Sequence, residues 1–451
     1  MSQGTSVAAA PGTLPAGTLP RTPAVTAPEA TTPGRLDALS AAAREALAGT
    51  PGRMRVVAAL AVVATLGFGL GAGQAFRSAS GALERAGADA AQVVRVQDIH
   101  TDLVQADAAA TNAFLVGGLE PAGQRATYDA AVADASQRIT RAARAQPADG
   151  QTLAAVNADL VHYAGGVEQA RANNRQGLPV GAQYLTEASA GLRAPGGALA
   201  QLDATVTANR ERVQHELDAA RLALLWLVLP GLLALVVLAG AMLWMARRTH
   251  RYVNLPLAGA TLAVLVGLVA GWVVLAGISG RVDEVQKGPY AAALATAQAR
   301  VAGFDAKAQE SLTLIKRGSG GDFEKAWQTS SAQATTGSAD ARRLTGTDLR
   351  WEDYASAHRA LRRLDDGGRW EQAVAAATAP QGAGPAGTTR PFRAFDTATH
   401  DLLVSTSGEA AARLAAPGGW LVLAGALGLL LGLLSAAASW WGVSQRLQEY
   451  R

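Results

Sequence analysis

The sequence predicts an all-α membrane protein with four transmembrane helices and two tandem extracytoplasmic four-helix bundles that arose by internal duplication. Of its 451 residues, 49% are hydrophobic and only 17% are charged, a balance that is unusual for a soluble enzyme of this length. The apolar residues concentrate in four stretches without Asp, Glu, Lys or Arg, each long enough to cross a bilayer as a helix. These predicted spans are residues 56–76, 222–246, 255–279 and 420–441.

The segment before the first span, residues 1–52, is rich in Ala, Pro, Thr and Gly, a composition that is typical of disordered chain. The short loop after the second span, residues 247–254, carries three arginines and no acidic residue. Its basic and histidine residues are Arg247, Arg248, His250 and Arg251. Because short basic loops remain in the cytoplasm, this loop and both termini are predicted to be cytoplasmic.

The two long polar blocks, residues 77–221 and 280–419, are then predicted to be extracytoplasmic, and the tail at 442–451 to be cytoplasmic. The chain is therefore a predicted multi-pass protein of the plasma membrane. Within each block, apolar residues recur at alternating steps of three and four, as in helices that bury one face. Glycine and proline interrupt this pattern often enough to separate four helices in each block. The last helix of each block is predicted to continue into the following span, over residues 198–246 and 391–441, whereas Lys287-Gly288-Pro289 is predicted to break the chain after the third span.

Glycines four residues apart lie on one face of a span and can form a packing surface between helices. Such pairs stand at 67/71, 69/73, 267/271 and 428/432. The alternative is that a glycine-rich sequence contains such pairs by chance.

The two outer blocks have a weak internal similarity that indicates an ancient duplication. A shift of 198 residues aligns Asp107 with Asp305. A shift of 191 residues aligns a second set of three positions in each block, which are Tyr163, Arg171 and Asn174 in the first and Tyr354, Arg362 and Asp365 in the second.

These six aligned residues are the candidate outer site for a ligand or a partner protein. A tyrosine and an arginine two helical turns apart can grip a carboxylate or a docked protein loop, since the guanidinium binds through two parallel donors. The alternative is that the tyrosines fill the bundle cores and the arginines stabilise helix C-termini. On the inner side, the four residues of the basic loop are predicted to contact anionic lipid or a cytosolic partner.

Other classes of function find little support in the residues. The chain has no cysteine, and its six histidines form no HExxH pattern, so no metal site and no cofactor are predicted. No catalytic or phosphate-binding motif occurs, so no catalytic residue is assigned and an enzyme is not expected. No basic cluster with interleaved aromatics points to nucleic acid. Since the spans carry no charge, transport ranks last.

The stretch Asn112-Ala113-Phe114-Leu115-Val116-Gly117-Gly118, followed by Tyr128 in the next helix, resembles the first hairpin of the sensing module of methyl-accepting chemoreceptors and related sensor kinases. The likeness covers residues 56–246 and, more weakly, 255–441. It implies a four-helix ligand-sensing bundle between two spans. In that family the second span leads into a linker and a signalling domain, whereas here short segments follow, so a separate partner is expected to provide the output.

The tandem four-span arrangement also resembles an actinobacterial family of membrane sensors that relays amino-acid status from an exported glutamine-type binding lipoprotein to a serine/threonine protein kinase G. That resemblance implies a solute-binding lipoprotein outside and a cytosolic serine/threonine kinase inside, besides membrane lipids, and it leaves a homo-oligomer open. The leading hypothesis is a non-enzymatic transmembrane signal transducer. The rival hypothesis is a cell-envelope scaffold that binds partners and transmits nothing.

Overall fold

The computed structural model describes residues 50–116, 120–249, 254–379, 386–415 and 418–448, and these residues contain no β-strand. Twelve α-helices follow one another along them. In chain order they are α1 (Thr50–Val116), α2 (Ala122–Ala145), α3 (Gly150–Arg175), α4 (Val180–Arg193), α5 (Ala198–Thr249), α6 (Leu255–Val285), α7 (Ala291–Ile315), α8 (Gly321–Thr345), α9 (Trp351–Asp366), α10 (Trp370–Thr378), α11 (Thr389–Ala415) and α12 (Gly418–Gln448). The predicted all-α class is confirmed.

The chain divides into a short unit, Met1–Val56, and a long unit, Val57–Arg451. Of the short unit, only residues 50–56 are described, and these are helical. The predicted disorder of residues 1–52 therefore falls almost wholly outside the described residues. Both outer bundles lie within the long unit.

Four helices, α1, α5, α6 and α12, contain the predicted spans and are long and apolar enough to cross a membrane. This confirms four membrane-spanning helices. Two of them continue without interruption into the outer region, since α1 has 67 residues and α5 has 52. At 1.5 Å per residue they are roughly 100 Å and 80 Å long, far more than a bilayer requires. Each of these two helices is therefore shared between a span and the first bundle.

Glycines let the spans approach closely, as small residues do in membrane helix pairs. A Cβ added to Gly432 on α12 would lie 2.5 Å from the Cα of Gly69 on α1, and one added to Gly428 would lie 2.7 Å from the Cβ of Ala72. The predicted glycine pairs at 69/73 and 428/432 thus face each other between the first and fourth spans. Gly67, in contrast, has open space around it.

A proline in α5 explains the contact between the first two spans. Pro230 has no N–H and cannot bond to the carbonyl oxygen of Trp226, one turn earlier in the helix. Gly71 of α1 packs against that oxygen and against the proline ring, where any Cβ would collide. The bare Cα of Gly71 is the kind of weak donor that such a freed carbonyl accepts.

Replacing Gly432 by leucine is expected to destabilise the packed spans by about 2 kcal/mol, since overpacking a tight contact forces backbone displacement. The matched control is Gly67→Leu on α1, where the added side chain meets no neighbouring atom. Unfolding of the full-length protein in mixed detergent micelles measures both variants. An equal effect of the two substitutions would contradict the observed packing.

Each outer block contains the four predicted helices and one short helix more. The first block comprises the outer parts of α1 and α5 with α2 and α3, and α4 precedes α5. The second comprises α7, α8, α9 and α11, and α10 precedes α11. The sequence did not reveal the short helices, because α10 has only nine residues and the apolar positions of α4 resemble a continuation of the next helix. The same order of elements in both blocks agrees with a duplication.

One cluster of buried apolar side chains runs through both bundles, so that the two form a single packed body. Many of its members are alanines, whose small side chains bring the helix axes close together. Tyr163 and Tyr354, the aligned tyrosines, are among the largest fully buried side chains.

The connection from the third span into the second bundle is kinked. The π-helical turn Gln286–Tyr290 joins α6 to α7, and Gly288 within it has non-helical angles, φ −106° and ψ −106°. Pro289 follows and removes a backbone donor. The break predicted at Lys287–Pro289 is therefore present, and this stem differs from α1 and α5, which continue from span to bundle as single helices. The predicted continuous helix at 391–441 is described as α11 and α12, and residues 416–417 between them lie outside the described part.

Candidate functional site

A largely buried arginine joins the two bundles through the pair of aspartates that the repeat alignment made equivalent. Nη1 of Arg193 on α4 lies 2.7 Å from Oδ2 of Asp107 on α1, and its Nη2 lies 2.6 Å from Oδ1 of Asp305 on α7. A serine hydroxyl completes each side, from Ser189 to Asp107 at 2.8 Å and from Ser330 to Asp305 at 2.5 Å. We name Arg193, Asp107 and Asp305 the arginine bridge.

The electrostatics of the arginine bridge favour the ionised forms. Burial would raise the pKa of Asp305, but the charge of Arg193 and the hydrogen bond from Ser330 lower it below its ordinary value. The two carboxylates in turn raise the pKa of Arg193 although burial opposes this. Asp107 is fully buried, so the guanidinium and the hydroxyl groups of Ser189 and Tyr163 take the place of water as its hydrogen-bond donors.

The first bundle has a cavity of about 250 Å³ between the outer ends of α1, α2, α3 and α4. Two of the predicted site residues, Arg171 and Asn174, line it. The guanidinium of Arg171 lies 4.1 Å from the centre of the Tyr128 ring and pairs with Glu168 at 2.7 Å and with Glu120 at 3.0 Å. The remaining lining residues are Ala110, Ala113, Phe114, Ala122, Arg125, Val167, Ala170, Arg175 and Leu185. We name this space the first-bundle cavity.

Charges of both signs meet apolar walls in the first-bundle cavity. Arg125, Arg171 and Arg175 supply donors, and Glu120 supplies an acceptor. The amide of Asn174 donates to the Phe114 carbonyl at 3.4 Å, a long contact that a better acceptor can replace. Such an arrangement can bind a small molecule that carries both a carboxylate and an ammonium group beside an apolar part.

Tyr163 lies in the bundle core beneath this cavity and does not line it. Its hydroxyl donates to Oδ1 of Asp107 at 3.3 Å, which ties it to the arginine bridge. Burial, and then the neighbouring carboxylates, raise the pKa of Tyr163 and Tyr354 well above the ordinary value, so both remain donors. The position of both tyrosines matches the alternative interpretation, in which they fill the cores.

The aligned residues of the second bundle are closed by internal partners. Arg362 pairs with Asp365 and Asp366 on its own helix, and its Nε lies 3.4 Å from Glu324 on α8. Tyr354 donates to Oε2 of Glu310 at 3.2 Å. Arg362 and Asp365 line none of the described cavities, so the aligned residues of the two repeats differ in their surroundings.

A buried polar network fills the centre of the second bundle. Glu310 is fully buried and is bonded by Lys307 at 2.5 Å, Thr388 at 2.8 Å and Nδ1 of His358 at 2.8 Å. The other ring nitrogen of His358 lies 3.3 Å from Glu324. The Trp327 ring stacks on the imidazole with 3.6 Å between ring centres. We name Lys307, Glu310, His358 and Glu324 the second-bundle network.

Sequence reasoning missed this network, although α7 carried a signal of it. Lys307 and Glu310 lie in the mainly apolar sequence of that helix, where a buried charged pair needs partners from other elements. The position of the first block that a shift of 198 residues aligns with Glu310 is the neutral Asn112. The network therefore belongs to the second repeat alone.

The second-bundle network predicts a pH window of maximal stability. Burial opposes protonation of His358, but hydrogen bonds and charge from Glu310 and Glu324 raise its pKa above 6.5. The stability that the protonated imidazole adds to the fold is therefore complete below about pH 6.5 and is lost as the pH rises through the raised pKa. Burial likewise opposes ionisation of Glu310, yet Lys307 and His358 lower its pKa to about 2. The stability that the ionised carboxylate adds to the fold is therefore complete above about pH 4.5 and is lost as the pH falls towards 2.

The thermal midpoint of the full-length protein is accordingly expected to be highest between about pH 4.5 and about pH 6.5. In His358→Gln the decline above pH 6.5 is expected to flatten, because the variant has no imidazole to titrate. A wild-type midpoint that rises steadily from pH 6 to pH 8 would show that His358 is neutral in the fold.

The predicted inner residues lie mostly outside the described part. Arg247 is exposed near the end of α5. The side chain of Arg248 and the whole of His250 and Arg251 are not described. Among the described residues, no group of three or more His, Asp or Glu side chains is arranged to hold a metal ion.

A family model described as an actinobacterial sensor domain matches residues 82–218. The match covers the first outer bundle, from the outer part of α1 to that of α5, and includes the first-bundle cavity and Arg193. No curated protein and no solved structure matches the chain. The match and the four apolar helices fit a multi-pass membrane sensor, and sensor domains are in general non-catalytic.

Proposed function

We propose that this protein is a non-enzymatic transmembrane sensor whose first outer bundle detects a small amino-acid-like ligand and relays its binding to the cytosol. The observation that carries the proposal is the continuity of α1 and α5, which run from the first-bundle cavity region into the first two spans. A ligand shifts such a structure only as far as its affinities for two arrangements of the helices differ.

The first-bundle cavity supplies the recognition. Arg171 and the neighbouring arginines meet the ligand carboxylate, and Glu120 meets its ammonium group. Phe114, Val167 and Leu185 contact its apolar part. This chemistry also suits the end of a protein loop, so a ligand-loaded binding lipoprotein that docks at the same place is the second route by which the signal arrives.

Helix α4 connects the first-bundle cavity, where the ligand binds, to the second bundle. Leu185 lines the cavity, and Ser189 and Arg193 follow it at one and two turns along the same helix. A ligand that displaces α4 therefore displaces the guanidinium that holds Asp107 and Asp305 together. The second bundle then moves with this guanidinium, and the packing of the spans below it changes.

The signal is expected to leave through the cytosolic segments. Arg247 and Arg248 belong to the last turn of α5, and His250 and Arg251 follow in the sequence. We expect this basic segment to lie beside the anionic surface of the membrane. We expect an acidic surface of a cytosolic partner, such as a serine/threonine kinase, to bind there. Replacement of the three arginines by alanine tests this step, and partner recruitment that is unchanged in the variant would count against it.

The recognition step predicts a specific loss in Arg171→Gln. Full-length wild-type protein in nanodiscs is screened by thermal shift against the amino acids, and a ligand at 100 times its dissociation constant is expected to add about 2.7 kcal/mol of stability. Arg171→Gln is expected to weaken binding at least about tenfold, because it removes a charge-assisted bond worth roughly 1.5–3 kcal/mol. The matched control is Arg141→Gln, on the exposed face of α2.

Two results would speak against direct recognition. If no amino acid stabilises the folded protein, the ligand arrives on a docked binding protein or the protein is an envelope scaffold. If an amino acid binds but Arg171→Gln and Arg141→Gln behave alike, the ligand lies elsewhere in the outer region.

A further inference from the structure

A second cavity lies where the outer bundles meet the spans. Its volume is about 390 Å³, and α1, α11, the start of α12 and the π-helical turn form its walls. Along α1 its lining begins at Ser80, one turn beyond the predicted first span, and continues to Val94. Leu421, which belongs to the fourth span, closes its membrane end. We name it the α1–α11 cavity.

The walls of the α1–α11 cavity are apolar and small. Nine of its thirteen lining residues are Ala, Gly, Val or Leu, so that water gains few hydrogen bonds inside it. Gly87 stands in the middle of the α1 wall, and a Cβ added there meets no atom within 4 Å. An apolar occupant is therefore favoured over water.

One polar group in the wall lacks a partner. The hydroxyl oxygen of Tyr290, in the kinked turn, is buried and forms no hydrogen bond within the described part of the chain. A buried hydroxyl without a partner costs free energy that an incoming acceptor recovers. The other polar lining residues are Ser80, Ser407 and the exposed Glu84. The cavity thus offers a largely apolar space with one buried donor that lacks a partner, Tyr290.

From this arrangement we propose that the α1–α11 cavity binds a single-chain amphiphile of the fatty-acid type that enters from the outer leaflet of the membrane. The chain lies along the small residues of α1 and α11, and the carboxyl group accepts the hydrogen bond of Tyr290. The volume lies near the lower end of the range of ligand pockets, roughly 300–1,000 Å³, and so suits one chain and not a two-chain lipid.

The position of the α1–α11 cavity makes the membrane the source of the amphiphile. Its lower end meets the fourth span at Leu421, and its α1 wall continues the first span without a break. A chain that is already dissolved in the bilayer reaches it without crossing water. The site is separate from the first-bundle cavity and does not depend on the proposed amino-acid ligand.

The experiment uses the full-length protein in nanodiscs that contain a C16 fatty acid with a diazirine in its chain. After illumination, we expect the label on the α1 peptide that includes Gly87 and Val94. In Gly87→Leu, which fills the cavity, and in the second filling variant, Ala91→Leu, this label is expected to fall to background. In Tyr290→Phe the label is expected to fall about three- to tenfold, the weight of one hydrogen bond.

The matched control is Gly165→Leu on α3, where an added side chain also meets open space but lies far along the chain from the α1–α11 cavity. It is expected to label as the wild type does. Labelling confined to the lipid-facing surface of the spans would overturn the proposal, and so would undiminished label in both filling variants. Equal labelling of the α1 peptide by a diazirine phospholipid would overturn the single-chain assignment.

Discussion

Replacing Arg193 by methionine is expected to destabilise the outer region by about 3 kcal/mol, the lower end of the cost of breaking a buried ion pair from one side. The variant leaves Asp107, which is fully buried, facing Asp305 without the cation that both share. The lower end applies because about a fifth of the side-chain surface of Arg193 and of Asp305 is accessible. Thermal unfolding of the full-length protein measures the change.

The arginine bridge also predicts a rescue. Changing both Asp107 and Asp305 to asparagine in the Arg193→Met background is expected to restore much of the lost stability, since no buried charge then lacks a partner. The matched control is Arg221→Met, because Arg221 also links two elements but is about half exposed, and it is expected to cost at most about 1 kcal/mol. Equal losses in Arg193→Met and Arg221→Met would contradict a buried bridge.

Replacing Glu310 by glutamine is expected to cost about 3–5 kcal/mol near pH 6, because Lys307 is then buried without a counter-charge and the protonated His358 keeps only Glu324. The cost is expected to shrink towards pH 8, where His358 loses its proton more readily without Glu310. Thermal midpoints of the full-length protein at the two pH values measure this difference.

The control for Glu310→Gln is Glu352→Gln, an exposed carboxylate of α9 that pairs with Arg359. It is expected to change the midpoint little at either pH, as exposed pairs contribute little. A cost for Glu310→Gln that does not vary with pH would show that His358 and Glu310 are not linked in the fold.

The sequence predicted the parts of the fold that depend on local pattern. Long runs without charged residues predicted the four spans, because a helix that crosses a bilayer is apolar along its length. Apolar residues that recur at steps of three and four predicted the long outer helices, because such residues bury one side of a helix. The predicted break at Lys287–Pro289 is present for the same local reason, the chemistry of glycine and proline. The glycine pairs at 69/73 and 428/432 were visible, but which spans they joined was not.

The parts of the fold and of the site that depend on contacts between residues distant in sequence were harder to predict. The repeat alignment paired Asp107 with Asp305, yet nothing near either aspartate indicated that Arg193 lies between them. All of the six aligned residues proposed as an outer site have partners within the chain, but Arg171 and Asn174 also line a cavity, whereas Tyr354 and Arg362 line none of the described ones. Sequence similarity between the repeats did not distinguish the half that lines a cavity from the half that does not.

The central claim is that binding at the first outer bundle changes the opposite ends of the spans. Asn254, at the start of α6, donates to the carbonyl oxygen of Gly442 on α12 at 2.7 Å, and a Cβ at Gly442 would lie 3.4 Å from Cγ of Asn254. Cysteines at these two positions are close enough for a disulfide, and the chain has no other cysteine.

The most direct test is the rate of disulfide formation between Cys at 254 and 442 in membranes, with and without a mixture of amino acids. The account predicts that the mixture changes the rate in the otherwise wild-type protein and leaves it unchanged when Arg171→Gln is added. An amino acid that stabilises the outer region in a thermal shift, yet leaves the rate the same in both backgrounds, would contradict a relay through the membrane.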